Sequence, residues 1–315
     1  MDIASWSQVA PQLDSQTMIY SLAVYNGKLY GGTSAGGRLF EWNDADAWVE
    51  VAPQLNSQSF IYSLVVYNGK LYGGTIPGGR LFEWNNADAW VQVAPQLNSQ
   101  TQILSLAVYN DKLYGGTGTT GRLFEWNDAD AWVQVAPQLN GQQQIRGLTV
   151  YNGKLYGGTY IYGSGGRLFE WNDVDAWVQV APRLLGEDWI FCLAVYGGKL
   201  YGGTGENGYL VVWNDVDAWI RVASKLGAEQ RIYSLAVYDG KLYGGTYGMF
   251  AGGGRLFEWN DVNAWVEVAI KLNNQDRILS LAVYNDLLYG GTGSGGRLFV
   301  VVPAPSEWIP LVFIM

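Results

Sequence analysis

One thirteen-residue phrase dominates this chain. "SLAVYNGKLYGGT" begins at Ser21 and returns with small changes at Ser63, Ser105, Gly147, Cys192, Ser234 and Ser280. The first Gly of each "LYGGT" stands at Gly31, Gly73, Gly115, Gly157, Gly202, Gly244 and Gly290, so the spacings are 42, 42, 42, 45, 42 and 46 residues. Periods of roughly 40–50 residues are those of four-stranded propeller blades. Each period also holds four strand-like runs. "IYSLAVY" (Ile19–Tyr25) is apolar and β-branched and reads as an inner strand buried on both faces, and "NGK" supplies a hairpin turn. "LYGGT", "RLFEW" and "WVEVA" follow as second, third and outer strands, with "SAGG" and the Asx-rich "NDADA" as the intervening turns. No segment carries a sustained 3.6-residue apolar period, so the chain reads as all-β: a seven-bladed β-propeller with four antiparallel strands per blade. It is a single domain over residues 1–315, with units near 6–47, 48–89, 90–131, 132–176, 177–218, 219–264 and 265–302 and an apolar tail at 303–315.

A stack of repeats would need special end units. Here "WSQVAPQLDSQ" at Trp6 matches "WVEVAPQLNSQ" at Trp48, and the last unit stops at its third strand, "GGRLFVVV". The spare outer strand and the missing one match. Pairing Trp6–Ala10 with Leu298–Val302 closes a ring and removes two open edges. The alternative is that the tail around Trp308 supplies the seventh outer strand, although Pro310 there would remove a ladder donor.

The repeated stretches "YNGKLYGG", "LFEWNDADAW" and "VEVAPQL" resemble the kelch repeat, including an aromatic six residues before a Trp, as in Trp42/Trp48 and Trp84/Trp90. One departure is that Gly31–Gly32 follow Tyr30 directly. The resemblance covers nearly the whole chain and implies the fold. Kelch-type propellers include enzymes, adaptors and actin binders, so it implies no single activity.

Several function classes are disfavoured. The chain has 315 residues, a net charge of −9 and a pI near 4.6, which argues against binding nucleic acid or an anionic membrane surface. No apolar run reaches the ~18 residues of a membrane helix. The start "MDIASWSQVAPQLDSQ" has neither a basic region nor an apolar core, so it does not read as a secretory signal. Together with the single cysteine, this tilts an otherwise open localisation toward the cytoplasm.

There is no histidine, which removes Ser–His–Asp and Cys–His catalysis and His-ligated zinc. Cys192 takes an inner-strand slot filled elsewhere by Ser or Gly and reads as a small packed residue. The Asp pairs of the "NDADA" turns, such as Asp44 and Asp46, could ligate calcium. Calcium wants six to eight oxygens, however, and Asn86 and Asn263 replace an Asp in two units, so a self-capped turn is the better reading. Arg38, Arg80, Arg122, Arg167, Arg255 and Arg297 recur at the start of the third strand, which suggests pairing with nearby acids. The expectation is a non-enzyme without catalytic residues, metal or cofactor.

Differences between units carry more information. The second-to-third turns and the blade-to-blade linkers emerge on one face, and both length changes fall there, at Tyr160–Gly166 and Tyr247–Gly254. Tyr160 and Tyr162, then Trp189, then Tyr247, Met249 and Phe250 should share one rim, with Glu187, Asp188, Glu206 and Asn207 among them. Exposed aromatics in polar company form binding surfaces. The reading is lectin-like recognition of carbohydrate around blades four to six, with a protein ligand next. The third reading is a symmetric scaffold, recently amplified or engineered, with no dedicated ligand. The tail from Trp308 to Met315 is apolar enough either to pack on the ring or to join subunits into an oligomer.

Overall fold

The computed structural model describes residues 5–13, 16–55, 57–97, 99–139, 141–163, 165–184, 186–223, 226, 229–248, 253–269 and 275–302. Twenty-eight strands among them form seven four-stranded antiparallel sheets. Blade one consists of Ile19–Tyr25, Lys28–Thr33, Leu39–Trp42 and Trp48–Ala52, in that order from the inside outward. Blades two to six repeat it, with inner strands Phe60–Tyr67, Ile103–Tyr109, Gln144–Tyr151, Ile190–Tyr196 and Glu229–Tyr238. In blade seven the strands Ile278–Tyr284, Leu287–Thr292 and Leu298–Val302 are joined by Ser5–Ala10. That strand pairs Trp6 with Val301 and Gln8 with Phe299. The N-terminal strand therefore supplies the seventh outer position, and the tail at 303–315 lies outside the described residues.

The Gly pair follows from how closely the blades approach. A Cβ on Gly31 would sit 3.1 Å from the indole of Trp48 in its own blade. A Cβ on Gly32 would sit 2.6 Å from Ser21 Oγ and 2.7 Å from Cγ2 of Ile61 in the next blade. The first Gly makes room for the outer-strand Trp, and the second lets the neighbouring inner strand come in. The same Trp-over-Gly contact recurs at Gly73, Gly115, Gly157, Gly202, Gly244 and Gly290, where the last is covered by Trp6 of the closing strand.

Apolar clusters accordingly span blade boundaries. Trp42 and Trp48 pack with Tyr284, Tyr289 and Val300 of blade seven, and Trp126 lies 5.0 Å from the ring of Tyr72 in the preceding blade. Polar contacts bridge the same seams. Ser21 Oγ donates to Ile61 O (3.4 Å), and Tyr284, Tyr67 and Tyr151 donate to Asp44, Asp128 and Asp215 of the following blade. The "NDADA" turn is capped from within: Asn43 Oδ1 accepts the N–H groups of Ala45, Asp46 and Ala47 at 3.0, 3.1 and 3.0 Å. Of the third-strand arginines, Arg38 pairs with Glu50 at 2.9 Å and Arg255 with Glu267 at 2.7 Å. Cys192 donates to Ile232 O at 3.5 Å, as Ser21 does in its own blade, and burial pushes its thiol up to about 12.

The inner strands differ from the expectation of burial on both faces. Leu22 is half-buried and Val24 is 40% exposed. These strands surround an open central space, so their alternate residues line a channel instead of a second sheet.

Two stability predictions follow. Gly32→Ala forces a methyl group against Ile61 and should cost about 1–3 kcal/mol. Trp6→Ala strips the closing strand of its contacts with Gly290 and Phe299 and should cost about 3 kcal/mol or more. Thermal or urea unfolding of each variant measures both; an unchanged transition in either would contradict the packing described.

Candidate functional site

The turns and linkers of the variable face are knitted together by backbone bonds. Ser34 N–H donates to Met18 O and Gly36 N–H to Ser59 O, both at 3.1 Å. A buried linker residue, glutamine in five blades and Glu187 or Glu229 in the others, lies beneath each turn. Gln16 and Gln58 are buried and accept from Thr33 and Thr75 at 2.6 and 2.5 Å. On this frame the inner strands begin, and their first residues ring the mouth of the channel.

Within each inner strand, variable and constant positions sit side by side. Ile19, Ile61, Ile103, Ile145, Ile190, Ile232 and Ile278 are identical and buried, and Leu22 recurs as Leu at all seven equivalent places. Between them stand Tyr20, Tyr62, Leu104, Arg146, Phe191, Tyr233 and Leu279. Just outside the constant Ile stand Met18, Phe60, Gln102, Gln144, Trp189, Arg231 and Arg277. The residues of the first variable set line a cavity of about 260 Å³ at the channel axis, above the leucine ring.

Blades four to six fill their part of this mouth with an aromatic arc. Tyr160 stacks on Trp189 (centroids 3.4 Å apart), Trp189 on Phe191 (4.8 Å), Phe191 leans on Tyr233 (4.8 Å), and Tyr233 meets Tyr247 edge-on (6.1 Å). On the other side Tyr20 stacks on Tyr62 at 4.9 Å. Three guanidinium groups sit over these rings. Arg146 lies 4.9 Å from the centre of Trp189 and 5.3 Å from that of Phe191. Arg231 lies 5.5 Å from Tyr247 and Arg277 lies 4.8 Å from the same ring. Arg146 also donates to Gln144 Oε1 and to the Tyr62 hydroxyl, both at 2.6 Å, and Arg231 donates to the Tyr233 hydroxyl at 3.0 Å. Arg277 is held by Asp276 at 3.0 and 2.5 Å. Burial, with Tyr62 close by, pushes the Tyr20 phenol up to about 12.

The residues expected from sequence separate into groups. Tyr160, Trp189 and Tyr247 do meet, through Phe191 and Tyr233. Tyr162 is 80% exposed on the blade-four insertion, which Asp188 pins by accepting from Gly163 N–H at 2.8 Å. Glu206 is exposed at a left-handed position of its turn. Asn207 turns inward and donates to Gly186 O (3.2 Å) and Glu187 Oε1 (2.7 Å). Glu187 is only 1% exposed and takes a linker place that Glu229 holds in blade six and glutamine holds in the other five blades, so it is part of the frame beneath the turns and not of the rim surface. Met249 and Phe250 lie outside the described residues. Tyr20, Tyr62, Arg146, Phe191, Arg231, Tyr233 and Arg277 were not expected. The signal for Tyr20, Tyr62, Arg146, Phe191 and Tyr233 was present as a variable position between an invariant Ile and an invariant Leu, and that for Arg231 and Arg277 as a variable position just before the same Ile.

No known protein family matches the chain, and no curated protein sequence matches it. Its fold does match solved structures. The extracellular domain of BT4673 from B. thetaiotaomicron superposes with a TM-score of 0.71 at 16% identity, over 97% of this chain; the chain spans 41% of the length of that protein. A catalytically inactive variant of virginiamycin B lyase from Staphylococcus aureus, solved with quinupristin, gives 0.73 at 9% identity, covering 95% of this chain and 99% of the other. The computationally designed Ika8 protein gives 0.62 at 14%, covering 94% and 99%. An extracellular domain, an enzyme variant and a design share this architecture, so the likeness establishes the seven-bladed propeller and no activity.

The linker carboxylates yield a prediction. Burial raises the Glu187 carboxyl above its ordinary 4.5, while donors from Asn207 and Thr204 pull it the other way. A carboxyl raised in the folded state penalises folding once it must ionise, so the penalty is full at neutral pH and vanishes below the unfolded value. Glu187→Gln, which restores the residue type of Gln16, should raise the melting temperature at pH 7 and lose that advantage as the pH falls toward 4.5. A pH series of thermal melts checks it; a constant or inverted difference would contradict the assignment.

Proposed function

We propose that this protein is a non-enzymatic binding module that takes its ligand at the variable-face mouth of the central channel. One observation carries the reading. Variation between otherwise near-identical blades concentrates on one face, in its turns and linkers and at the two positions that ring the mouth, from Tyr20 to Leu279 and from Met18 to Arg277. Drift would scatter over all exposed positions. The exposed outer-strand Val49, Val91, Val133, Val178 and Val266 and the Asn-capped turns are instead kept nearly alike.

The ligand class we favour is carbohydrate, on a repeat that is kelch-like in its motif. The cavity of about 260 Å³ falls just under the roughly 300–1,000 Å³ of pockets for drug-sized ligands, a size suited to a single sugar ring. Phenol hydroxyls from Tyr20, Tyr62 and Tyr233 surround it. The stacking mode expected from sequence is modified by the geometry: both faces of Trp189 are occupied, by Tyr160 and Phe191, so the hydroxyl-rich wall and not an open indole face would hold the sugar. A glycan array followed by titration tests this. Binding of a saccharide should fall by about tenfold or more in Tyr62→Ala plus Tyr233→Ala and stay unchanged in Lys70→Ala, which stands at the hairpin of the opposite face. Binding that survives the double substitution would move the site elsewhere.

A further inference from the structure

We propose that the mouth is built for an anionic saccharide, whose carboxylate is taken by Arg146 and Arg231; this rests on the reading that the mouth is the ligand site. The argument starts from charge. The chain carries −9 overall, yet Arg146, Arg231 and Arg277 converge on one aromatic cluster. Arg277 is compensated by its neighbour Asp276. Among the described residues, neither Arg146 nor Arg231 forms an ion pair. Both guanidinium carbons lie within 6 Å of the same two rings, at 4.9 and 5.3 Å for Arg146 and at 5.9 and 5.8 Å for Arg231, from Trp189 and Phe191 respectively. Two like charges sharing a partly dehydrated site repel, and an anion between them relieves the repulsion. The nearby carboxylates do not serve. Asp188 accepts from Gly163 N–H, Asp276 holds Arg277, and Glu187 and Glu229 are buried under the turns.

The hydrogen bonds point the same way. Arg146 Nε is engaged by Gln144 and one terminal nitrogen by Tyr62, while Arg231 donates one terminal nitrogen to Tyr233 and keeps its buried Nε without a partner. A buried donor left unpaired is costly, and a carboxylate is the partner that a guanidinium edge fits best. Because the arginines donate to the oxygens of Tyr62 and Tyr233, the phenol protons of both remain free to donate to a ligand. The site therefore offers the Arg146 edge and a set of tyrosines lining a cavity of about 260 Å³, with Arg231 beside it, over Phe191 and bonded to the lining Tyr233. A compact ring bearing one carboxylate and several hydroxyls matches that set. An extended acidic peptide would use the charges and leave the hydroxyl wall unused.

The test is calorimetric titration of the full chain with D-glucuronate, D-glucose and a short acetylated peptide ending in a free carboxylate, at low and high salt. Glucuronate should bind at least about tenfold more tightly than glucose, weaken with salt, and lose about tenfold or more in Arg146→Gln and in Arg231→Gln. Arg146→Lys, which keeps the charge but not the planar fork, should recover only part of the loss and guards against misfolding of the Gln variant. Glucose binding as well as glucuronate, with no effect of either substitution, would overturn the anionic assignment while leaving the mouth as a saccharide site. Binding of the peptide alone would overturn the saccharide. Binding of glucuronate that ignores both arginines but is lost in Tyr62→Ala plus Tyr233→Ala would overturn the role of the arginines.

Discussion

The structure depends on how near one inner strand can come to the next. Gly32 faces Ile61, Gly74 faces Ile103 and so on around to Gly291 facing Ile19, each at a distance that excludes any side chain on the glycine. That approach sets the pitch between sheets, leaves a ring that closes on its seventh member, and turns the neighbouring Gly31 into a seat for Trp48. The outer strand is thereby tied to the inner one through an aromatic wedge. Most of the core lies between blades and little of it within a single sheet, so a blade in isolation would bury little.

This explains why the fold was legible in sequence. A constraint applied identically at each seam writes itself into the chain with one period, and the spare Trp6 segment could be matched to the missing outer strand because the seam at Gly290 demands the same indole as the others. The turn chemistry was legible for the same reason: Asn43 and its counterparts cap their own backbones, a purely local requirement. The mouth was only half legible. Loop-borne Tyr160, Trp189 and Tyr247 stood out because they broke the repeat in length or in character, whereas Arg146, Phe191 and Arg231 sit inside strands that keep their length. The convergence of side chains more than 40 residues apart, as in Arg146 reaching Tyr62, is a product of the ring and has no local signature. Glu187 shows the opposite error. A carboxylate in a variable linker read as a surface group, but the linker dips beneath the turn, where counterparts such as Gln16, Gln58 and Glu229 accept from the repeated threonine.

Charge is distributed in keeping with this division. Lysines at the second-strand starts pair with Glu41, Glu83, Glu125 and Glu258, and third-strand Arg38 and Arg255 pair with Glu50 and Glu267 while Arg122 and Arg297 donate to Gln134 and Gln8, so many of the repeated charges are engaged in place. Three arginines that break the repeat, Arg146, Arg231 and Arg277, gather over the aromatic rings of the mouth. Flanking aromatic rings shield them from water and hold their planes, which strengthens their interaction with an opposite charge and lowers the cost of ordering them.

The alternation in each inner strand, a fixed Ile, then a free position, then a fixed Leu two residues on, has a wider consequence. The close approach of the blades is set by the Gly and the Ile and not by the free position, whose side chain lines the channel mouth. Seven such positions, one per blade, act as letters around a common circle, read together where neighbours touch, as Tyr20 does Tyr62 and Phe191 does Tyr233. A chain of this kind can acquire a new ligand by spelling a different word at Tyr20, Tyr62, Leu104, Arg146, Phe191, Tyr233 and Leu279 without renegotiating its fold.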